Sequence, residues 1–186
     1  ASGKTIMTTE PKFIPKEAVS INVADNLDMK VKMIDCVGYV VKDAEGQFED
    51  GKERMVRTPW FDYDIPFSKA AEIGTNKVIN NHSTVGIVVT TDGSFGELPR
   101  ESYLEAEQKT VDELKTIGKP FVILLNTDKP SSSQTAALSA EMSDTYGASV
   151  IPVNVEQLRE SDITYIFTEL LMSFPVTSIY FEIPKW

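Results

Sequence analysis

Apolar and polar positions recur along the chain with two different periods. Short runs rich in β-branched residues predict strands over 5–8, 19–23, 31–36, 85–91, 121–126, 149–153 and 178–183. Helical spacing fills the gaps between the later runs. Residues 68–80 carry Ala70, Ala71, Val78 and Ile79, and residues 101–117 put Tyr103, Val111, Leu114 and Ile117 on one face before Gly118 and Pro120 stop the helix. Residues 133–146 space Leu138, Met142 and Tyr146 four apart. Residues 161–174 give a clean stripe of Ile163, Ile166, Phe167, Leu170, Leu171 and Phe174, with Ser161 as the expected N-cap.

Two early strands joined by the short turn "ADNLDMK" predict an antiparallel hairpin, whereas later strands alternate with helices and call for parallel pairing with crossovers. The expected fold class is therefore α/β: a three-layer sandwich, mostly parallel, with the hairpin as its antiparallel edge. Two stretches read as irregular, 10–18 and the long polar loop 41–65, and a loop of that length in a compact domain is usually functional or disordered. There is no internal repeat.

Composition narrows the function. With 186 residues and 41% hydrophobic content, one core and one domain are expected. A net charge of −10 argues against nucleic acid or anionic lipid as the main partner, because both would be repelled. The single cysteine, Cys36, allows no intrachain disulfide and suits a reducing compartment. No apolar run approaches about 20 residues, so neither membrane insertion nor secretion is expected. Without an initiator methionine, the chain is expected to be an internal piece of a longer protein.

Ser2-Gly3-Lys4-Thr5 imitates the end of a phosphate-binding loop, G-x-x-x-x-G-K-[ST]. Such a loop needs a helix after it, and Thr5, Ile6, Thr8, Thr9, Pro11 and Pro15 resist one, so the match is false. Asp35-Cys36-Val37-Gly38 is a stronger lead. This D-x-x-G closes an apolar strand, where a carboxylate can hold a Mg²⁺ shell and a glycine N–H can meet a γ-phosphate. Asp43–Gly46 and Asp144–Gly147 match the same pattern but read as turns or helix ends. Only Asp35 sits at the carboxyl end of a buried strand, the edge where open α/β sheets bind ligands. Thr8 and Thr9, just upstream of the hairpin, stand where switch threonines would reach metal or γ-phosphate; alone they are simply two β-formers. The order threonines, hairpin, D-x-x-G, long loop, helix is that of a switch-bearing P-loop hydrolase after its first strand and helix.

Asn126-Thr127-Asp128-Lys129 occupies the place of the guanine-reading N-K-x-D. Asn126 is kept, but Lys129 stands where the aspartate belongs and cannot accept hydrogen bonds from guanine, while Asp128 is one place out of register. Val153-Asn154-Val155 replaces the usual Ser-Ala-Lys. That leaves adenine or no nucleotide at all, and an ordinary loop capped by Asn126 and Asp128 fits equally well. His82, the only histidine, reads as a helix cap, and one His with one Cys excludes a zinc site or a Cys–His pair. Asp92-Gly93 reads as a tight turn and Pro99 as a first-turn residue. Arg100 is a weaker candidate for reaching a phosphate on a neighbouring subunit. Trp60, Phe61 and Tyr63 either cover a local hollow or mark a partner contact.

"KTIMTTEPKFIP", "DCVGYVV", "RMVRTPWFDYDIPFSKAAEIGTNKVINNHSTVGIVVTTDGS", "GKPFVILLN" and "SDITYIFTELLMSFPV" together closely resemble the stage IV sporulation protein A family of endospore-forming bacteria. The likeness covers nearly the whole chain. It implies a P-loop hydrolase of the GTPase-like class that uses ATP with Mg²⁺ and polymerises around the forespore as the basement layer of the spore coat. It further implies Thr8 and Thr9 as sensor threonines, Asp35 as the Walker B carboxylate, Asp35 and Thr9 at the metal, and Gly38, Asn126 and Asp128 at the nucleotide. Expected partners are a second copy of the chain, spore coat proteins and a small membrane-associated peptide; the expected place is the mother-cell cytoplasm at the forespore surface. Residues 1–175 would be the ATPase core and 176–186 its final strand and a linker. The family's P-loop lies upstream of Ala1. Without its amides and lysine, this chain alone should be inactive, and its sheet should lack the first strand. The rival expectation is a nucleotide-independent scaffold that keeps the fold for protein contacts. A GTPase is a third, which Lys129 argues against.

Overall fold

The computed structural model describes residues 12–24 and 27–175. The strands expected over 5–8 and 178–183, and the linker expected within 176–186, lie outside these residues. Strand β1 (Lys12–Ala24) and strand β2 (Leu27–Asp35) form the expected antiparallel hairpin. The irregularity expected over 10–18 is confined to a bulge: Ile14 faces Met33 and Val19 faces Val31, so residues 15–18 stand opposite Lys32 alone. Pro15 lies in that bulge, where a missing N–H breaks no ladder bond.

The loop expected over 41–65 is more ordered than its polarity suggests. It holds two short hairpins, β3 (Phe48–Glu49) with β4 (Lys52–Glu53), and β5 (Met55–Val56) with β6 (Ile65–Pro66). Asp50 and Gly51 join the first pair, both with positive φ, at 51° and 74°, the backbone of a two-residue turn that matches strand twist. Helix α1 (Phe67–Lys77) follows and runs into a π-turn at Val78–His82. The C-terminal carbonyls there are capped by Lys119, whose ammonium donates to Ile79, Asn80 and Ser83. His82, expected as the cap, is exposed.

The centre of the molecule is a parallel sheet of β7 (Gly86–Thr91), β8 (Phe121–Asn126) and β9 (Val150–Val153), in that order. Helices α2 (Leu104–Thr116), α3 (Ser133–Tyr146) and α4 (Glu160–Met172) connect or follow these strands. Central β8 is buried from Phe121 to Leu125, as a strand covered on both faces must be. Its side chains alternate. Ile123 and Leu125 join Val88, Val111, Leu114, Met142 and Tyr146 in one cluster; Val122 and Leu124 join Ile151, Val153, Ile166, Phe167 and Leu170 in the other. The hairpin is not an edge of this sheet, as the sequence had suggested. It forms a separate two-stranded ribbon, whose Val23, Ile21, Met29 and Val31 complete the second cluster against α4.

Helix boundaries follow local chemistry. Ser132 caps α3 by accepting from the Thr135 amide at 3.1 Å, and Gly147 ends it in the left-handed region. Helix α4 starts one residue before the expected cap, Ser161. Asp162 reaches back to the Arg159 amide at 2.8 Å, so Arg159 occupies the N-cap position. Ile163 of the expected stripe is exposed.

Candidate functional site

The carboxyl ends of the three parallel strands stand in register, Thr91 beside Asn126 and Asn126 beside Val153. The loops leaving them are stitched together by side chains. Asp92 Oδ2 accepts from the Thr127 hydroxyl at 2.6 Å, while its Oδ1 accepts from the Ser94 amide at 2.9 Å and the Ser94 hydroxyl at 2.5 Å. The Ser94 hydroxyl oxygen in turn accepts from the Asp128 amide at 2.9 Å. Asn126 Oδ1 accepts from the Val155 amide at 3.1 Å, joining the loop after β8 to the loop after β9. Burial raises the Asp92 carboxyl's pKa, but the bonds from Ser94 and Thr127 outweigh it and hold the group below the usual carboxylate range.

Asn126 and Asp128 are expected here from the sequence, in which Asp92-Gly93 reads as a simple turn. It is a turn, yet Asp92 is also the hub of the strand-end loops. Asp128 is exposed and pairs with Lys129 at 3.3 Å. Thr127, at the lysine position of N-K-x-D, is fully buried.

Asp35 ends β2 with its side chain exposed, and β2 is not the buried strand at the ligand edge of the parallel sheet that the sequence predicts: none of its residues is buried and it belongs to the separate hairpin. Gly38, three residues on, has φ +77° with no atom within 4 Å of where a Cβ would lie, so backbone conformation rather than space requires glycine. The Gly38 backbone bonds the Cys36 sulfur. Burial pushes the Cys36 thiol's pKa up, that bond pulls it back, and the Asp35 charge adds to the rise. Beyond Gly38 the chain is anchored to the helices. Tyr39 donates to Asn76 Oδ1 at 2.6 Å, and Lys42 N donates to the Ser102 carbonyl at 3.1 Å. Burial beside Glu113 and Glu72 pushes the Tyr39 hydroxyl up to about 12. Thr8 and Thr9 lie outside the described residues.

Arg100 is not free to reach a neighbouring subunit. Its guanidinium grips Glu107 at 2.5 and 2.6 Å, in a pair whose side chains are 15% and 1% exposed. Burial raises the Glu107 pKa, but Arg100 and the hydroxyls of Thr90 and Tyr146 more than reverse this and hold it below the usual range. The signal for this pair was legible: Glu107 falls on the α2 face between Tyr103 and Val111, where an acid needs a partner. Trp60 lies against α1, with Lys77 5.4 Å from its ring centroid, whereas Tyr63 is exposed beside Phe61.

Residues 1–175 match the family described as stage IV sporulation protein A, ATPase domain. The chain belongs to this family. It is 46% identical over 186 residues to stage IV sporulation protein A of Bacillus subtilis (strain 168) and 48% identical over 186 residues to that of Bacillus anthracis. It is 49% identical over 185 residues to that of Clostridioides difficile (strain 630). Each comparison covers 100% of this chain and 38% of the relative, so the chain spans well under half the length of those proteins. No solved structure matches it. The span matched to the stage IV sporulation protein A ATPase domain contains Thr8, Thr9, Asp35, Gly38 and the Asn126–Asp128 stretch. Among the described residues no helix is long and apolar enough to cross a membrane.

Proposed function

We propose that the chain is the nucleotide-hydrolysing core of a spore coat morphogenetic protein, taking ATP at the carboxyl edge of the β7–β8–β9 sheet. The observation that carries this reading is the convergence of three strand-end loops on one edge, through Asp92, Thr127, Ser94, Asp128 and Asn126, in a chain whose family is described as an ATPase domain. Asn126 and Asp128 serve the nucleoside end. Asp35 and Gly38 serve the phosphate end, Thr8 and Thr9 joining them from the segment before the hairpin. Lys129, where guanine readers carry an acid, favours ATP over GTP.

The donor set suits Mg²⁺ better than a protein-caged metal. Among the described residues no group of three or more His, Cys, Asp or Glu side chains converges. Mg²⁺ in nucleotide sites is held by one or two carboxylates plus substrate phosphates and water, and Asp35 and Thr9 would be the residues of this chain that hold it. When bound, the ion neutralises charge building on the transferred phosphoryl group. The chain's own contribution is positional: the Gly38 turn would set the course of the segment after Asp35 at the phosphate end, and Asn126 braces the base loop against Val155.

The fold we propose is a P-loop NTPase whose first strand and phosphate-binding loop come from sequence outside these 186 residues. In support, the outer edge of β7 has no partner strand among the described residues, which leaves room there for that strand. By itself the chain then lacks the groups that grip the β- and γ-phosphates and is inactive. In the whole protein, ATP turnover rearranges the segment after Asp35 and permits homopolymer assembly at the forespore surface, with coat proteins and a small membrane-associated peptide as partners. The test is ATP turnover, GTP turnover and filament formation by the full-length protein and its Asp35→Ala variant. Loss of ATP turnover and of filaments is expected. Unchanged behaviour in both would overturn the enzyme reading and leave a scaffold.

A further inference from the structure

Arg100 is where the chain returns from the loop that follows β7, and its guanidinium closes the neck of that loop. Nη1 donates to the Thr90 hydroxyl at 3.0 Å and to the Thr91 carbonyl at 3.3 Å. The same group holds both oxygens of Glu107 on α2, and the Tyr146 hydroxyl of α3 donates to Glu107 Oε1 at 2.6 Å. Nη2 also lies 3.6 Å from the Met142 sulfur. One side chain thus joins a strand end, a loop and two helices. An apolar pair of equal volume would hold the interior together at least as well, because desolvating two charges offsets most of their attraction. What an apolar pair would not supply is position, since a guanidinium fork fits a carboxylate in one planar geometry.

The position matters because of what the loop carries. Gly93 lies so close beneath Arg100 that a Cβ there would stand 2.9 Å from the Arg100 backbone nitrogen, and the Gly93 amide donates to Thr91 Oγ1 at 3.1 Å. On either side of Gly93, Asp92 holds Thr127 and Ser94 holds the Asp128 amide. A route of direct contacts therefore runs from the Arg100–Glu107 pair, through Thr90 and Thr91, to the 126–128 loop.

We propose that Arg100 and Glu107 are a positioning pair for nucleotide binding: they hold the 92–99 loop against the 126–128 loop in the arrangement that accepts the nucleoside end of ATP. This rests on the ATP-site reading above. The pair touches no nucleotide itself; it acts through Asp92 and Ser94.

The experiment compares full-length wild type, Arg100→Met, Arg100→Lys and the double variant Arg100→Met/Glu107→Leu, measuring binding of a fluorescent ATP analogue below every unfolding temperature, together with thermal unfolding. Arg100→Met leaves Glu107 buried without its partner and should lose both stability and affinity, the latter by about tenfold. The double variant removes the unpaired charge and should recover thermal stability while staying about tenfold weak, because the fork is still absent. Arg100→Lys keeps the charge without the fork and should bind more weakly than wild type but more tightly than Arg100→Met. Recovery of affinity along with stability in the double variant would reduce the pair to a structural role and overturn the proposal. So would wild-type affinity in a folded Arg100→Met or Arg100→Lys. Failure of wild type itself to bind ATP would instead sink the ATP-site reading, and this proposal with it.

Discussion

The Thr127 hydroxyl donates to the Asp92 carboxylate at 2.6 Å, so the ends of two neighbouring parallel strands are joined by side chains just past their last ladder bonds. The same oxygen accepts from the Lys129 amide at 3.2 Å, and Thr127 has no exposed surface. Replacing it with valine keeps the shape and removes both bonds. Because Asp92 keeps its Ser94 partners, Thr127→Val should cost about 1–3 kcal/mol rather than unfold the sheet. Amide hydrogen exchange of the full-length protein checks this. Protection at Asp128 and Lys129 should fall more than protection in the middle of β8, and Thr127→Ser should restore most of it.

Glu107 makes stability depend on acid. Its folded pKa lies below the ordinary value near 4.3 to 4.5, so the folded state gains stability above that value and loses it as pH falls through the folded pKa. The expected outcome is an acid limb below about pH 4.5 in the unfolding free energy. Asp92, also lowered, adds to the same limb. Glu107→Gln should flatten it while lowering stability at neutral pH, where Arg100 is left without its counter-charge. Urea unfolding between acid and neutral pH measures both. An acid limb of undiminished slope in Glu107→Gln would remove Glu107 from the account.

Gly38 and Gly93 both have positive φ, at 77° and 89°, but their surroundings separate them. Around Gly38 there is open space, so Gly38→Ala should cost only the left-handed backbone penalty, about 1–2 kcal/mol, and Gly38→Asn less. At Gly93 a Cβ would also strike the Arg100 backbone nitrogen at 2.9 Å, and backbone cannot swing away as a side chain can. Gly93→Ala should therefore be the more damaging of the two in thermal unfolding. It should also disturb the Arg100 neck, whereas Gly38→Ala should leave it intact.

The parallel core was legible because its signals are local and mutually consistent. The apolar run Phe121–Asn126 reads as a buried strand, Gly118 with Pro120 stops α2, and Gly147 stops α3. The Asp50-Gly51 turn was equally local, yet the surrounding charge hid it inside what read as one polar loop. The separate hairpin was not legible, because strand periodicity reports which face is apolar and says nothing of which edge pairs. Residue type drew attention to Asn126 and Asp128, which lie in the strand-end loops, and equally to Asp35, which lies on the separate hairpin. The Asp92 hub escaped because Asp-Gly is commonplace in turns, and only tertiary structure brings Thr127 and Ser94 to it. Arg100 reads in the sequence as a weak candidate for a neighbouring subunit's phosphate, because its partner Glu107 lies seven residues away on another element.

The two apolar clusters on either face of β8 make a prediction about how the hairpin is held. Leu170 of α4 is 1% exposed and shares its cluster with Val23 of β1, whereas Val111 of α2 has no exposed surface and lies in the opposite cluster. Truncating either to alanine should cost on the order of 1–5 kcal/mol, the larger Leu170 losing more. The pattern of loosening should differ. Leu170→Ala removes part of the surface on which Ile21, Met29 and Val31 rest, so amide exchange should quicken in β1 and β2 as well as in β9. Val111→Ala should quicken exchange in β7 and β8 at equal or smaller cost while the hairpin amides stay nearly as protected as in wild type. Since β2 ends in Asp35, Leu170→Ala should also loosen that carboxylate, and ATP turnover per folded full-length protein should fall more for Leu170→Ala than for Val111→Ala. Equal effects of the two substitutions on hairpin exchange would mean that the ribbon is held by something other than α4.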